Sequence, residues 1–594
     1  MYDKFPFIPV SDAREDCCVG WPSIAAALRS RIPQGAGIVC VECYPGVLLD
    51  SLCVGLAKEL HPDRIVRADE YYLPESALER KVQPLLTEDP VFGRMNSFEI
   101  ADYFGAENIG RAQREIGDWG DGLMLVVGTG ATLIAPRCDL LIYADMARWE
   151  IQQRQRGGLI GNLGIDNLNA SASAKYKRGF FLDWRAADRL KRVLLPRIDF
   201  LLDTNHAEEP KMITGSSLRA GLEAAVQRPF RVVPFFDPGP WGGHWMEEVC
   251  DLPKGRPNYA WCFDCVPEED SLLLGFGDRR VEIPALDVVL MRPRALLGEA
   301  VESRFGAEFP IRFDFLDTMG GGNLSLQVHP RLEYIREVFG MKYTQDESYY
   351  ILDAKEDACV YLGLREDTDA NSMLRDLSAA QQLEKPEFDA ERYVNKFPAA
   401  KHDHFLIPAG TVHCSGRNSM VLEISATPYI FTFKLWDWAR PGLDGKLRPI
   451  HLEHGTANIC WDRRTGWVER NLIHRVEEVA RGEGWREERT GLHELEFIET
   501  RRHWFTGVVP HDTQGTVNVL NLVAGDRVIV ESPTDVFEPF EVHYAETFIV
   551  PAAVGRYTIR PSATCSAGQS EYATLKAFVR STRAYPVFTH NPNM

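Results

Sequence analysis

Residues 323–330 read N-L-S-L-Q-V-H-P. In an extended strand the side chains alternate between faces, so Gln327 and His329, two positions apart, point the same way. Pro330 cannot donate to a sheet ladder and closes the strand. Further on, Glu347 opens E-S-Y-Y-I-L-D-A, which is again strand-like. Residues 405–414 then read F-L-I-P-A-G-T-V-H-C, a Pro-Ala-Gly turn feeding a short extended segment that ends near His413. An amide oxygen, two imidazoles and a carboxylate form a borderline donor set that suits a divalent ion, zinc before other first-row metals. Such a set leaves a coordination position for water or substrate. His402 and His404, in K-H-D-H just before the turn, are rival ligands.

Outward from this segment, residues 241–462 are mostly β, with helices expected near 330–339 and within the polar insertion 367–395. A helical connector is expected over 466–482, and strands resume over 495–581, for example at 516–523 and 526–531. Before residue 230 the texture differs. Residues 37–41 (GIVCV), 64–67 (RIVR), 123–128 (LMLVVG), 139–143 (DLLIY) and 198–202 (IDFLL) read as strands. Helical stretches such as 146–156 and 184–194 lie between them. That alternation predicts a parallel sheet with crossover helices. Proline and glycine cluster at 234–240 (PFFDPGP), which places a boundary there. The expected organisation is multidomain: an α/β domain over 1–233, a metal-binding β domain over 234–465, and a connector with a second β domain over 466–594.

A chain of 594 residues is too long for one hydrophobic core. Its formal charge of −19 argues against nucleic acid or an anionic membrane as partner, and an anionic substrate would need a locally basic pocket. No apolar run approaches a membrane span, and no secretory signal is expected from the first residues. Thirteen scattered cysteines read as reduced thiols, so a cytoplasmic protein is expected. The pairs Cys40/Cys43 and Cys262/Cys265 each supply only half a structural zinc site. Oligomeric state is not legible.

The motifs Q-V-H-P, the glutamate before an aromatic strand ending in L-D, and P-A-G-T-V-H together resemble the type I mannose-6-phosphate isomerases, zinc enzymes of the cupin fold. The likeness extends to W-G-G at 241–243, F-P-I-R-F-D-F-L-D at 309–317, V-L-E-I at 421–424, W-D-W-A-R at 436–440, G-K-L-R at 445–448 and E-T-F-I-V-P-A-A-V-G-R-Y at 546–557. It runs from about residue 234 to 580. It implies cupin barrels with helical insertions and one zinc ion held by Gln327, His329, Glu347 and His413. The implied reaction interconverts mannose 6-phosphate and fructose 6-phosphate through an enediol, with a sugar phosphate as the small-molecule partner. Lys434, in T-F-K, stands where the family carries a catalytic arginine and is the first catalytic candidate, with Arg440 second. Lys446 and Arg448 are the substrate-binding candidates. The sequence departs from the family elsewhere. Thr344-Gln345-Asp346 replaces a Gly-Lys-Thr, with Lys342 the nearest lysine, and Asp314 replaces a frequent lysine. The substrate shell has therefore changed more than the metal set. An isomerase of another sugar, possibly unphosphorylated, or a zinc-bearing sugar sensor are the alternatives.

The first 230 residues resemble P-loop kinases of the uridine kinase type in a strand-turn-helix over 38–56, in R-A-D-E-Y-Y around Asp69, in arginines 148, 154 and 156, and in Asp183-Trp184-Arg185. A working phosphate loop needs glycines, a lysine and a hydroxyl. The corresponding E-C-Y-P-G-V-L-L, residues 42–49, lacks both the lysine and the serine or threonine hydroxyl. A degenerate nucleotide-fold domain serving assembly, regulation or sensing is expected rather than an active kinase.

Overall fold

The computed structural model describes residues 1–580, apart from 34, 36, 383–386, 428–430, 444, 492, 494 and 563–570. Five parallel strands form the middle of a seven-stranded sheet. In chain order they are Gly37–Cys43, Arg64–Arg67, Leu123–Gly128, Leu140–Asp145 and Phe200–Asp203. Across the sheet their order is second, third, first, fourth, fifth, and Lys211–Thr214 and Cys17–Val19 extend one edge antiparallel. GIVCVEC, LMLVVG and LLIYAD are almost wholly buried, because helices such as Leu49–Leu60 and Trp184–Leu194 cover the sheet.

The winding reverses on either side of Gly37–Cys43, and a crevice opens at the carboxyl end of such a strand. Here the protein fills it with its own groups. The buried Glu42 carboxylate accepts from Gly130 N (2.5 Å), Thr132 N (2.8 Å) and Thr132 Oγ1 (2.7 Å). Arg154 donates to the carbonyls of Gly46 (3.1 Å) and Thr204 (2.7 Å). Arg148 pairs with Asp188 at 2.5 Å.

The next part of the chain stacks two antiparallel sheets. One runs His404–Ile407, Glu347–Ala354, Ser419–Ser425, Arg312–Asp317, Trp261–Cys265 and Phe235–Asp237. The other runs Val394–Pro398, Cys359–Leu364, His413–Ser415, Leu326–Val328 and Phe433–Trp436. Helices Leu332–Phe339 and Ala370–Gln382 fall in the stretches where helices are expected. A second pair of sheets, of six and four strands, follows and encloses its own core around Leu520, Val530, Phe548 and Tyr557.

The expected connector over 466–482 is only half helical. Thr465–Asn471 is a helix, but Glu477–Gly482 is a strand that opens a hairpin with Trp485–Gly491. The turn between them is Gly482-Glu483-Gly484, with Gly484 at φ +72°. That left-handed position marks a hairpin, and it outweighs the helix-like spacing of the charges before it.

Strand pairs and buried ion pairs cross residue 233. Phe7–Ser11 lies parallel to Ser271–Phe276, which pairs with Arg279–Pro284. Phe230 and Ile549 exchange backbone hydrogen bonds of 3.0 and 2.8 Å. The buried Arg231 reaches Glu546 at 2.7 Å.

Candidate metal centre and its cavity

The two sheets of the first β unit face each other, and cross-strand register decides what stands between them. Gln327 lies opposite His413 on one side and Lys434 on the other, so these three form a row on the five-stranded sheet. His329 stands on the same face. On the six-stranded sheet Glu347 and Arg312 flank Ser425, while Tyr349 and Asp314 flank Glu423.

The rows meet at Glu347. Its Oε2 is 3.0 Å from His329 Nε2 and its Oε1 2.9 Å from His413 Nε2, with all three residues fully buried. One donor atom from each lies within 4.8 Å of the others, the only such His/Cys/Asp/Glu group among the described residues. His329 Nδ1 donates to the Phe431 carbonyl (3.0 Å) and His413 Nδ1 to that of Thr411 (2.8 Å). These bonds fix both tautomers and turn both Nε2 lone pairs on the carboxylate. His329 Nε2 and Glu347 Oε1 have no hydrogen-bond partner. Buried lone pairs facing one another repel unless a cation lies between them, and a divalent ion fits that demand. Gln327 Nε2 is 3.3 Å from His413 Nε2, so the amide also belongs to the cluster. Gln345 donates to Glu347 Oε2 at 2.8 Å and accepts from Phe431 N at 2.9 Å. It thereby ties the carboxylate to the residue that orients His329.

The rival histidines lie elsewhere. His404 pairs in register with Tyr350, which is one residue out of phase with Glu347 and Tyr349, so it faces away from the cavity. His402 Nδ1 lies 2.9 Å from Tyr350 Oη, on that same side. The cysteine pairs are buried in two different sheets, Cys40/Cys43 in the α/β unit and Cys262/Cys265 in the β unit.

Gln327, His329 and Glu347 line a cavity of about 440 Å³, a size ordinary for a small-molecule site. Lys434 and Arg448 line it; Arg440 and Lys446 do not. Arg440 is held by Asp437 (2.8 Å) and the Asn323 carbonyl (2.7 Å), and Lys446 is exposed. Arg448 faces the cavity already clamped by Asp437, at 2.6 and 2.7 Å. Lys434 is half-buried and its side chain makes no hydrogen bond or ion pair among the described residues; burial, with the Arg448 charge adding to it, brings its pKa down to about 8.

Sequence reading gave several lining residues no role in the site, Asp314 being noted only as a replaced lysine. Arg312 is buried with Nε and Nη2 unpartnered. Asp314 Oδ1 is likewise unpartnered, and burial pushes its carboxyl up to about 6. Glu423 is raised well above the carboxylate range by burial and by the charges of Glu347 and Asp314. The signal for these was R-F-D-F at 312–315 and V-L-E-I at 421–424, charges inside apolar strands where a core face should be neutral. The remaining wall had no such signal. Phe92, Gln155, Arg156, Tyr176 and Phe181, all from the α/β unit, line the same cavity.

A family model described as a domain of unknown function (DUF8485) matches residues 20–227. The mannose-6-phosphate isomerase ManA of Bacillus subtilis is 26% identical over 221 residues, 37% of this chain and 64% of that protein. A mannose-6-phosphate isomerase of Streptococcus mutans is 27% identical over 215 residues, 36% and 62% of the two chains. The chain thus spans a little under two thirds of these curated relatives. The crystal structure of a mannose 6-phosphate isomerase from Bacillus subtilis aligns over 59% of this chain and 99% of its own, at 16% identity and a TM-score of 0.48.

Proposed function

We propose that the chain is a metal-dependent aldose–ketose isomerase of the cupin type, acting on a six-carbon sugar phosphate, with mannose 6-phosphate and fructose 6-phosphate as the first pair to test. The observation that carries this reading is the His329–Glu347–His413 cluster at the wall of a cavity with uncommitted charged groups. The similarity to curated mannose-6-phosphate isomerases supports it. Gln327, His329, Glu347 and His413 would hold the ion, zinc by their donor set. When bound, such an ion supplies Lewis-acid stabilisation of charge developing on a substrate oxygen.

The chain's own residues must supply the rest. Moving a proton between C1 and C2 needs a carboxylate or amine that is not spent on the protein. Asp314 meets that demand, with one oxygen unpartnered inside the cavity and a pKa shifted toward neutrality. A phosphate needs cations that are likewise unspent. Among the described lining residues Arg312 and Lys434 are cations without an ion pair, whereas Arg156 and Arg448 are held by Asp237 and Asp437. Aromatic rings of Trp241 and Trp261, set edge to face at 4.4 Å, give an apolar wall for a sugar's C–H face.

We assign no phosphoryl transfer to the α/β unit, although its strand order and the arginine-bearing helix Arg148–Arg156 support kinship with P-loop kinases. Residues 42–49 offer neither a lysine nor a serine or threonine hydroxyl, and Glu42 and Arg154 occupy the crevice.

Purified protein, with and without chelator, should be assayed for mannose 6-phosphate to fructose 6-phosphate conversion beside free mannose and other hexose phosphates. Chelator-sensitive turnover of a phosphorylated sugar is expected. Turnover of free mannose alone would move the substrate to the unphosphorylated class, and no chelator-sensitive turnover on any sugar would sink the isomerase reading.

A further inference from the structure

Part of the wall of the cavity belongs to the α/β unit, and it is built rather than incidental. The segment around residue 92 is pinned at several points. Asp89 Oδ1 accepts from Phe92 N at 2.7 Å, the Phe92 carbonyl accepts from Thr87 Oγ1 at 2.6 Å, and Met95 N donates to the Phe339 carbonyl at 2.8 Å. An added Cβ at Gly93 would lie 2.8 Å from the Phe181 ring, so only glycine lets the segment lie flat on that ring. So held, Phe92 stacks on Phe431 with ring centroids 4.3 Å apart and planes at 22°. Phe431 is the residue whose carbonyl accepts from His329 Nδ1 and whose N–H donates to Gln345. One aromatic contact thus joins the α/β unit to the groups that aim two of the metal-binding side chains.

The helix Arg148–Arg156 adds a second feature. Arg156 grips Asp237 through two bonds of 2.7 and 2.8 Å, which fastens the helix end to the edge strand of the six-stranded sheet. One residue before it, Gln155 is buried and lines the cavity, and its side-chain amide makes no hydrogen bond among the described residues. A buried amide without a protein partner costs free energy unless a ligand or water satisfies it. Tyr176 and Gln152 beside it are both held by Glu269, at 2.9 and 2.7 Å. Gln155 is therefore the polar group on this wall that is unspent.

We infer that the α/β unit is a working part of the sugar site, in which Phe92 positions His329 through Phe431 and Gln155 hydrogen-bonds the substrate. This rests on the isomerase reading for the substrate contact, but not for the positioning role. An amide both donates and accepts, which matches a sugar hydroxyl better than a phosphate oxygen. The inferred ligand of Gln155 is a hydroxyl of the sugar chain, with the phosphate left to Arg312 and Lys434.

The test uses the full chain carrying Gln155→Ala, Phe92→Ala or Phe92→Leu, each checked for a native melting curve. Gln155→Ala should raise KM for the sugar phosphate about tenfold, the loss carried by KM rather than kcat, as for a contact made equally in ground and transition states. It should leave cobalt affinity and the visible spectrum of the cobalt-loaded protein unchanged. Phe92→Ala should weaken cobalt binding about tenfold and shift that spectrum, with Phe92→Leu between. An unchanged KM in a folded Gln155→Ala protein, or unaltered cobalt binding in folded Phe92 variants, would overturn the corresponding half. If the unmodified protein turns over no sugar, the isomerase reading and the Gln155 contact fail together, and the cobalt measurements still decide the role of Phe92.

Discussion

His329 and His413 each spend Nδ1 on a backbone carbonyl, and that small expense governs the chemistry of the centre. It leaves His329 Nε2 and Glu347 Oε1 as buried lone pairs without a protein donor, converging beside His413 Nε2, which the Gln327 amide approaches. Replacing His413 by alanine removes one donor and opens the row on the five-stranded sheet. The expected result is a chain with less than one tenth of the bound metal of the unmodified protein, measured by elemental analysis after dialysis. Turnover should fall by at least ~10³-fold, since Lewis-acid stabilisation supplies several kcal/mol. Asp314→Asn is nearly isosteric and should leave metal content intact while lowering kcat by roughly 10²–10⁴-fold, the range for loss of a positioned proton carrier. Metal loss in Asp314→Asn would instead mark Asp314 as part of the ion's surroundings. Lys434→Arg keeps a positive charge and Lys434→Met does not. If Lys434 meets the substrate's phosphate, Lys434→Met should raise KM about tenfold or more for a phosphorylated sugar and leave any turnover of the free sugar unaltered, with Lys434→Arg the milder change.

Single elements show how far the sequence could be read. Gln327, His329 and Glu347 were legible because a strand's period of two is rigid, and because proline and glycine mark where each strand stops. The same rule discards His404, since its register partner Tyr350 is out of phase with Glu347, but register across strands is not written in either strand alone. Glu477–Gly482 looked helical until the Gly482–Gly484 turn is given its full weight. The part of the cavity wall that the α/β unit supplies was not legible at all. Phe92 and Phe431 lie 339 positions apart, and nothing local to either predicts their stacking. Glu42 sits between these cases: its position at a strand end was readable, its partners Gly130 and Thr132 beyond the strand Leu123–Gly128 were not. Burial raises its pKa to about 7 from an ordinary 4.5. The folded state then holds the proton more tightly than the unfolded chain, so stability on this account is full below about pH 4.5 and falls as pH rises toward 7. A Glu42→Gln chain loses hydrogen bonds at every pH but has no such slope. The unmodified protein should therefore lose about 3 kcal/mol relative to Glu42→Gln between pH 4.5 and 7, read from paired denaturant titrations. A gap independent of pH would mean that Glu42 stays ionised throughout.

For the whole molecule the question is whether the α/β and β units behave as separate bodies. Apolar packing runs without a break from the parallel sheet into the first pair of β-sheets. Ionic groups are buried across the same seam, where they are costly unless paired. Lys191, on the helix Trp184–Leu194, meets Asp145 at 2.7 Å and Asp287 at 2.5 Å, and all three are fully buried. Asp145 ends a strand of the α/β sheet and Asp287 belongs to the helix Leu286–Met291, well past the proline-rich stretch at 234–240. Two carboxylates around one ammonium cannot both remain charged once the ammonium is gone, so the loss of Lys191 falls on both units at once. Breaking a buried pair from one side costs about 3–5 kcal/mol, because the remaining charge has no solvent to return to. Lys191→Met should therefore lower stability by about that much at neutral pH, and part of it should return in acid as Asp287, whose carboxyl is raised by burial, takes up a proton. Calorimetry and intrinsic fluorescence should report one shared transition in the unmodified chain, with the Lys191→Met chain melting lower and in two steps. A variant that melts lower in a single step would mean that the apolar seam alone keeps the units together, and one that melts unchanged would show that the buried pair contributes nothing to their union.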